Sequence, residues 1–229
     1  MKSWMKAAAA GAAVALLAAC GTDRAAEPVM PQESAAKTEA ANAEGKEGKV
    51  LIAYFTWAEN THVDDPSSVD PDASTSASVL PPGNTAKMAG WIQKRTGGDL
   101  FPIRVKEPYS SDYEECLARA AEEKAENARP ELAARVRNMD DYDVVFLGYP
   151  NWWYTLPMPV LSFLEEYDFS GKTVIPFCAH GTGGLAESVS DLRAALPASA
   201  QVGEPIGVYR PEVDGAEPRI DAWLASAGW

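Results

Sequence analysis

Runs of apolar residues alternate with segments of helical spacing along most of this chain. The predominantly apolar runs lie at 50–55, 144–148, 173–178 and 206–208. Such runs, bounded by turn residues and followed by helical patterns, are typical of parallel strands that are buried on both faces. A further strand is predicted at 99–105, where Pro102 and alternating polarity favour the edge of the sheet. Pro176 lies inside the 173–178 run, so we expect a local irregularity there.

The segments between the runs carry apolar residues every three or four positions, which is the spacing of helices with one buried face. The predicted helices lie at 86–96, 112–128 and 132–137, from Pro157 onward, and at 185–196 and 216–225. Five strands that alternate with helices predict an α/β fold with a parallel, doubly wound, five-stranded sheet. The predicted domain covers residues 49–229, which is long enough to bury one substantial core.

Residues 1–20 indicate an export signal, because two lysines precede an Ala-rich apolar run that is too short to span a bilayer. The run ends in Leu17-Ala18-Ala19-Cys20, which resembles the lipobox of bacterial lipoproteins. The resemblance implies that Cys20 is lipidated and that the protein is extracytoplasmic and anchored to a bacterial membrane. The alternative is an ordinary signal that contains a cysteine. Residues 21–48 lack aromatic residues and predict a disordered linker.

The composition narrows the classes of function. The formal net charge is −13 and the basic residues form no dense cluster, so a nucleic-acid partner is not expected. The acidity favours solubility, with docking onto a basic protein as the alternative. Three cysteines and two histidines, without a CxxC motif, offer too few ligands for a zinc site, and we predict no metal. A disulfide between Cys116 and Cys178 is left open.

Residues 58–82 form an unusual segment after the first strand. The segment holds five acidic residues, four prolines and no lysine or arginine, which predicts a mobile surface insertion. Calcium binds several oxygen ligands, which Asp64, Asp65, Asp70 and Asp72 could supply. The spacing of a calcium-binding loop is absent, so the surface insertion is favoured.

Two loops of unusual composition follow the strands at 144–148 and 173–178. Both are expected at the carboxyl edge of the sheet, where ligands bind in folds of this class. Aromatic side chains in the first loop could stack on a flat ligand such as flavin, and glycines in the second let backbone amides approach the ring edge. The alternative is that the aromatic residues fill a core or form a partner surface. The residues of the two loops are Pro150, Asn151, Trp152, Trp153 and Tyr154, and Ala179, His180, Gly181, Thr182, Gly183 and Gly184.

A flavin nucleotide also needs a phosphate site, which backbone amides at a helix start can supply. The strand end at Thr56 and Trp57 is one candidate, but Glu59 would place a carboxylate against the phosphate. The helix start at Gly83-Asn84-Thr85 is the other candidate. We predict that both contribute, with residues 58–82 looped out between them. A plain helix cap is the alternative interpretation of the second candidate.

Four segments in this order resemble the flavodoxin family, most closely its bacterial flavodoxin-like lipoproteins. They are Tyr54-Phe55-Thr56-Trp57, Gly83-Asn84-Thr85, Gly148-Tyr149-Pro150-Asn151-Trp152-Trp153 and Phe177-Cys178-Ala179-His180-Gly181-Thr182-Gly183-Gly184. The resemblance implies a flavodoxin-like fold over 49–229 and noncovalent FMN. Its phosphate would be held by Thr56, Trp57, Gly83, Asn84 and Thr85, and its isoalloxazine by 150–154 and 179–184. The insertion departs from the family pattern, which leaves the exact phosphate ligands open.

The resemblance further implies electron transfer or an FMN-dependent oxidoreductase resembling NAD(P)H:quinone reductases, with a quinone, another small acceptor or a redox protein as partner. NAD(P)H as the donor stays open, because the chain has no separate nicotinamide-binding motif. His180 is the candidate catalytic residue, as a proton donor to the flavin, or else it only shapes the pocket. The competing class is a non-enzymatic flavodoxin-like binding module that does not use FMN.

Overall fold

The structure is a computed structural model that describes residues 48–73 and 78–229. The predicted export signal, with Cys20, and all but the last residue of the predicted linker lie outside these residues. The strands in the described part are β1 (Val50–Tyr54), β2 (Asp99–Pro102), β3 (Val144–Pro150), β4 (Thr173–His180), β5 (Gln201–Val202) and β6 (Ile206–Tyr209). The helices there are α1 (Asn84–Thr96), α2 (Tyr113–Ala125), α3 (Met158–Glu165), α4 (Ser188–Ala195) and α5 (Glu217–Ser226).

All pairs of neighbouring strands in the described sheet are parallel, in the order β2-β1-β3-β4-β5, and β6 also pairs with β4. The residues of β1, and Phe55 directly after it, alternate between two cores. Leu51, Ala53 and Phe55 pack on one face with α2, α3 and α4, whereas Ile52 and Tyr54 pack on the other with α1 and α5. The predicted doubly wound α/β fold is therefore confirmed, and so is the edge position of β2.

The sheet edge beyond β4 is formed by two short strands in place of one. Backbone amides of Gln201 and Gly203 donate to the carbonyls of Lys172 and Val174, so alternate residues of β4 face this edge. Pro176 is the next β4 residue on that side, and it has no N–H to offer. The neighbouring chain breaks there, since β5 ends at Val202 and pairing resumes with Ile206 opposite Phe177. The predicted irregularity is confirmed, and it lies beside β4 rather than in it.

Three predicted boundaries were wrong. Residues 132–137 are not helical, because Ala133 N donates to Arg104 O at 2.7 Å and Lys106 N donates to Glu131 O at 2.8 Å, which extends this segment against the chain after β2. Ala179 and His180 belong to β4 rather than to a loop, because they pair with Val208 and Tyr209. The helix predicted from 185 begins only at Ser188, after a series of turns.

The start of the predicted insertion is built into the fold. Asn60 is buried; its side-chain amide donates to Thr56 O at 2.8 Å and Ile103 O at 3.0 Å, and its Oδ1 accepts from Val105 N. Ala73 and Val79 are also buried in the core. The surface part of the insertion is therefore shorter than 58–82. No cluster of side chains suited to a metal ion occurs among residues 48–73 and 78–229, and no helix there is long and apolar enough to cross a bilayer.

Candidate functional site

A cleft of about 270 Å³ lies where the chain leaves β3 and β4. Both predicted loops line it, as expected for the carboxyl edge of a parallel sheet. The residues that line it are Tyr113, Leu117, Asn151, Trp152, Trp153, Tyr154, Gly181, Thr182, Gly183 and Arg210.

The aromatic loop is a tight turn with an unfavourable backbone. Trp152 and Thr155 exchange two backbone hydrogen bonds of 3.0 and 3.1 Å, which leaves Trp153 and Tyr154 as the two turn residues. Both have positive φ, 50° and 67°. A two-residue turn of this kind normally takes Asn and Gly, because left-handed backbone costs an L-residue about 1–2 kcal/mol. Strained backbone of this kind is often found at functional sites, so large aromatic residues at these two positions indicate a functional role for the turn.

The turn holds its rings in different environments. Trp152 packs edge-on against Phe55 and Tyr109, with centroid distances of 5.3 and 5.2 Å, so it joins the turn to the core. Trp153 is 43% exposed, and its indole Nε1 donates to Leu117 O at 3.0 Å. Tyr154 is 62% exposed, and its ring approaches the glycine loop. Two aromatic faces are thus available at the wall of the cleft.

The glycine loop lies close to the aromatic turn. A Cβ at Gly183 would lie 3.1 Å from Tyr154 Cδ1, so glycine allows the close approach. The Asn151 side-chain amide donates to Gly184 O at 2.6 Å, and Asn151 N donates to Ala179 O at 3.0 Å. These bonds fix the width of the cleft between the two loops.

A second and much smaller cavity, which we call the notch, lies beside the start of α1. It is lined by Thr56, Trp57, Ser78, Asn84, Thr85, Pro150, Ala179 and Arg210. Gly83 brings the two halves together, since it has φ 79° and a Cβ there would lie 2.2 Å from Thr56 Oγ1. The structure therefore places the end of β1 against the start of α1, across the insertion.

The helix start in the notch offers free donors. The cap residue Gly83 has no side chain that could bond the first-turn amides, and no acidic residue lies in that turn. Asn84 N donates to Ser78 Oγ at 2.9 Å. The amides of Thr85 and Ala86 have no partner within the helix, as is general for a first turn, and such amides bind phosphate. Glu59 does not oppose an anion in the notch, because its carboxylate is bonded to Tyr54 and Arg104 and lines neither cavity.

The notch holds about 10 Å³, which is room for roughly one water molecule. A phosphate group would have to displace side chains that line the notch, and Ser78, Asn84 and Arg210 are half-buried there with polar ends. The donor chemistry fits a phosphate, while the space requires these side chains to rearrange.

Two predicted site residues have ring nitrogens that are engaged with the protein's own backbone. Trp57 is only 1% exposed, and its indole Nε1 donates to Ser110 O at 3.0 Å, so the indole stabilises the core under the notch. His180 lines neither cavity. Its Nδ1 lies 2.7 Å from Gly181 O, and its ring covers Gly207, where a Cβ would lie 3.0 Å from His180 Cδ2.

The cavities also include residues that sequence reasoning missed. Tyr113 and Leu117 lie four residues apart on α2, where charged residues dominate the sequence and obscure the apolar side. Ser78 is one of several serines in its segment, and nothing in the sequence distinguishes it from the others. Arg210 directly follows β6, and its position at the carboxyl end of a strand was the available signal.

The cysteines of the described chain are not poised for redox chemistry. Cys116 and Cys178 are both free and buried. Burial raises the pKa of the Cys116 thiol to about 12 and also raises the pKa of Cys178. Both therefore stay protonated near neutral pH, where a thiol is a poor nucleophile.

The parallel strand order β2-β1-β3-β4-β5, with candidate ligand loops at the carboxyl edge, is that of flavodoxin-like α/β proteins. A sequence model of the flavodoxin family matches residues 74–205, more than half of the chain. The chain belongs to the flavodoxin family.

Solved structures agree with this assignment. A candidate flavoprotein from Bacteroides eggerthii shares 30% identity at a TM-score of 0.58, over 78% of this chain and 97% of that protein. One from Bacteroides uniformis shares 23% identity at a TM-score of 0.56, over 78% and 98%. A flavoprotein from Lactobacillus acidophilus, solved in complex with FMN, has the same fold with 20% identity and a TM-score of 0.52, over 73% and 97%. A comparison with curated proteins finds no match.

Proposed function

We propose that this protein binds FMN noncovalently and uses it in electron transfer, either as a carrier or as an oxidoreductase acting on a quinone or another small acceptor. The observation that carries the proposal is the strained turn at Trp153 and Tyr154, which faces a glycine loop next to the start of α1. Membership of the flavodoxin family and the FMN complex of the Lactobacillus acidophilus flavoprotein support it.

The cleft would hold the isoalloxazine ring. Trp153 and Tyr154 offer aromatic faces, and such faces favour stacked or edge contacts with flat rings. Backbone amides of Gly181 and Gly183 can reach the polar edge of the ring, because these residues have no Cβ. The exposure of Tyr154 leaves one side of the cleft open to solvent, so a bound ring would stay accessible to a partner.

The notch would hold the phosphate. Thr56 and Thr85 supply hydroxyl groups, and the first turn of α1 supplies amides together with the positive end of the helix dipole. Ser78, which now accepts from Asn84 N, would give up this bond to an incoming phosphate oxygen. The chain's own residues would therefore bind and orient the cofactor at two separate points.

Bound FMN would supply the redox chemistry, since it can accept and release electrons, and the protein would tune and expose it. No described side chain that lines the cleft is a carboxylic acid, a lysine or a histidine. Proton transfer at the ring would then involve solvent, because His180 lies against Gly207. Acceptors that fit this arrangement are small planar molecules or a redox protein that docks over Tyr154.

One observation favours a second candidate, a binding module that does not use FMN. The notch is nearly closed, and a family member that has lost its cofactor would have no need of a phosphate cavity. The first experiment is therefore the absorbance spectrum of the purified protein, followed by addition of FMN and removal of the excess. Retained flavin absorbance supports the FMN protein. A folded protein that stays colourless supports the module.

Turnover separates the enzyme from the carrier. The FMN-loaded protein is mixed with NADH or NADPH and a soluble quinone, and nucleotide oxidation is followed by absorbance. Steady turnover above the rate of free FMN identifies an oxidoreductase. If the flavin exchanges electrons only with a chemical reductant or a redox protein, the protein is a carrier.

We further propose that the protein is extracytoplasmic and attached to a bacterial membrane through lipid on Cys20, because the sequence around this residue resembles a lipobox. Attachment would hold the flavin near quinones dissolved in the same membrane. Detergent phase partitioning of the expressed protein tests this directly.

A further inference from the structure

Arg210 joins the two cavities. It is the first residue after β6, and it lines both the cleft and the notch. Among the described residues that line either cavity, it alone is shared and it alone carries a charge. A bound molecule that occupies both cavities would therefore pass the guanidinium.

Within residues 48–73 and 78–229, no residue forms a hydrogen bond or an ion pair with the Arg210 guanidinium. Lys87 and Arg104, by contrast, are paired: Lys87 Nζ lies 2.6 Å from Asp214 Oδ1, and Arg104 Nη2 lies 2.8 Å from Glu59 Oε2. The guanidinium instead rests against Gly181, where a Cβ would lie 2.7 Å from Nη2. A half-buried cation without a partner costs free energy unless a ligand supplies the counter-charge.

The surroundings of Arg210 fit a phosphate monoester. The hydroxyl groups of Thr56 and Thr85 and the amides of α1 donate hydrogen bonds but carry no full charge. A phosphate monoester carries nearly two negative charges at neutral pH, and this protein carries a formal net charge of −13. Arginine presents a planar fork of donors that matches phosphate oxygens. Arg210 is the residue that can offset the repulsion locally.

We propose that Arg210 binds the phosphate of the flavin nucleotide and thereby makes the site prefer FMN to riboflavin. This assignment rests on the proposed FMN-binding function. The other moiety within its reach is the flavin ring, which FMN and riboflavin share. If Arg210 contacts the ring, its loss would weaken both flavins equally. If it contacts the phosphate, its loss would weaken FMN and not riboflavin.

The experiment measures dissociation constants of FMN and riboflavin by quenching of flavin fluorescence, for the full chain and three variants. Arg210→Gln removes the charge and keeps a polar side chain. Arg210→Lys keeps the charge without the fork. Arg193→Gln is the control, because it removes one exposed arginine of α4 that lines neither cavity. Thermal unfolding of each variant without ligand checks that the fold is retained.

We expect Arg210→Gln to weaken FMN about 10- to 100-fold, the usual effect of losing a charged hydrogen bond, and to change riboflavin less than about twofold. The FMN dissociation constant of Arg210→Lys should lie between those of the unaltered chain and Arg210→Gln. The Arg193→Gln control should bind both flavins as the unaltered chain does. If Arg210→Gln weakens both flavins equally, or leaves tight FMN binding unchanged, the role assigned to Arg210 is wrong. The proposed FMN-binding function would still stand. If the folded, unaltered chain binds neither flavin, the proposed function fails and the assignment fails with it.

Discussion

Substitutions at Tyr154 separate the backbone strain of the aromatic turn from its contact with ligand. Tyr154 has φ 67° and is 62% exposed. Alanine there removes the ring and keeps the Cβ, which is the source of the left-handed strain. Glycine removes both. The difference between the two variants therefore isolates the strain, because each has lost the same aromatic contacts.

The magnitude follows from two opposing costs. Left-handed backbone costs a residue with a Cβ about 1–2 kcal/mol, and glycine escapes that cost. Glycine loses more chain entropy on folding, by roughly 0.5–1 kcal/mol relative to alanine. We therefore expect Tyr154→Gly to be more stable than Tyr154→Ala by about 0.75 kcal/mol, the middle of a range of about 0–1.5 kcal/mol, which is a difference in Tm of about 2–3 °C for a domain of this size.

The assay is chemical unfolding of both variants without FMN, so that ligand binding does not enter. Tyr209 provides a matched control, because it is 39% exposed and has an ordinary φ of −66°. There the order should reverse, with alanine more stable than glycine. Alanine more stable than glycine at both positions would refute the strained turn. For FMN, both Tyr154 variants should bind roughly tenfold more weakly if the ring stacks on the flavin.

Three further predictions address the helix start, the thiols and the anchor. Gly83→Ala should cost at least about 1–2 kcal/mol of stability and weaken FMN binding, because residue 83 has positive φ and the new Cβ would clash with Thr56 Oγ1. Unchanged chemical unfolding and an unchanged FMN titration would contradict this prediction. Cys116 in the native protein should react with a thiol reagent at pH 8 far more slowly than in denaturant. The free energy of unfolding should fall as pH rises from about 8.5 towards the folded pKa of about 12, because over this range the thiol loses its proton only in the unfolded state. Rapid native labelling, or stability that rises over this range, would refute the buried thiol. Cys20→Ser should move the protein from the detergent phase to the aqueous phase, and an unchanged partition would exclude lipidation at this residue.

The sequence was most informative where one residue type had one physical meaning. Apolar runs predicted strands buried on both faces, and Pro176 predicted a local irregularity, which the structure places in the neighbouring edge strand. Residues 132–137 have helical spacing, but their backbone pairs with the chain after β2, and such long-range pairing leaves no local pattern. The length of the insertion was also hidden, because the buried contacts of Asn60 join residues more than forty positions apart.

In the candidate site, too, the sequence predicted some features and not others. Both loops and both halves of the notch could be placed from sequence, since strand ends of a parallel sheet meet at one edge. Side-chain direction could not, and His180 therefore turned out to cover Gly207 rather than to line the cleft. Arg210 was missed because a single arginine after a short strand has no distinctive pattern. Only the packing of β6 beside β4 brings it to both cavities.

The most direct test of the account is a crystal structure of the protein grown or soaked with FMN. We predict the isoalloxazine against Trp153 and Tyr154, with phosphate oxygens about 3 Å from the first amides of α1. Flavin bound elsewhere on the molecule, or an empty cleft beside an unmoved Ser78 at saturating FMN, would contradict the account.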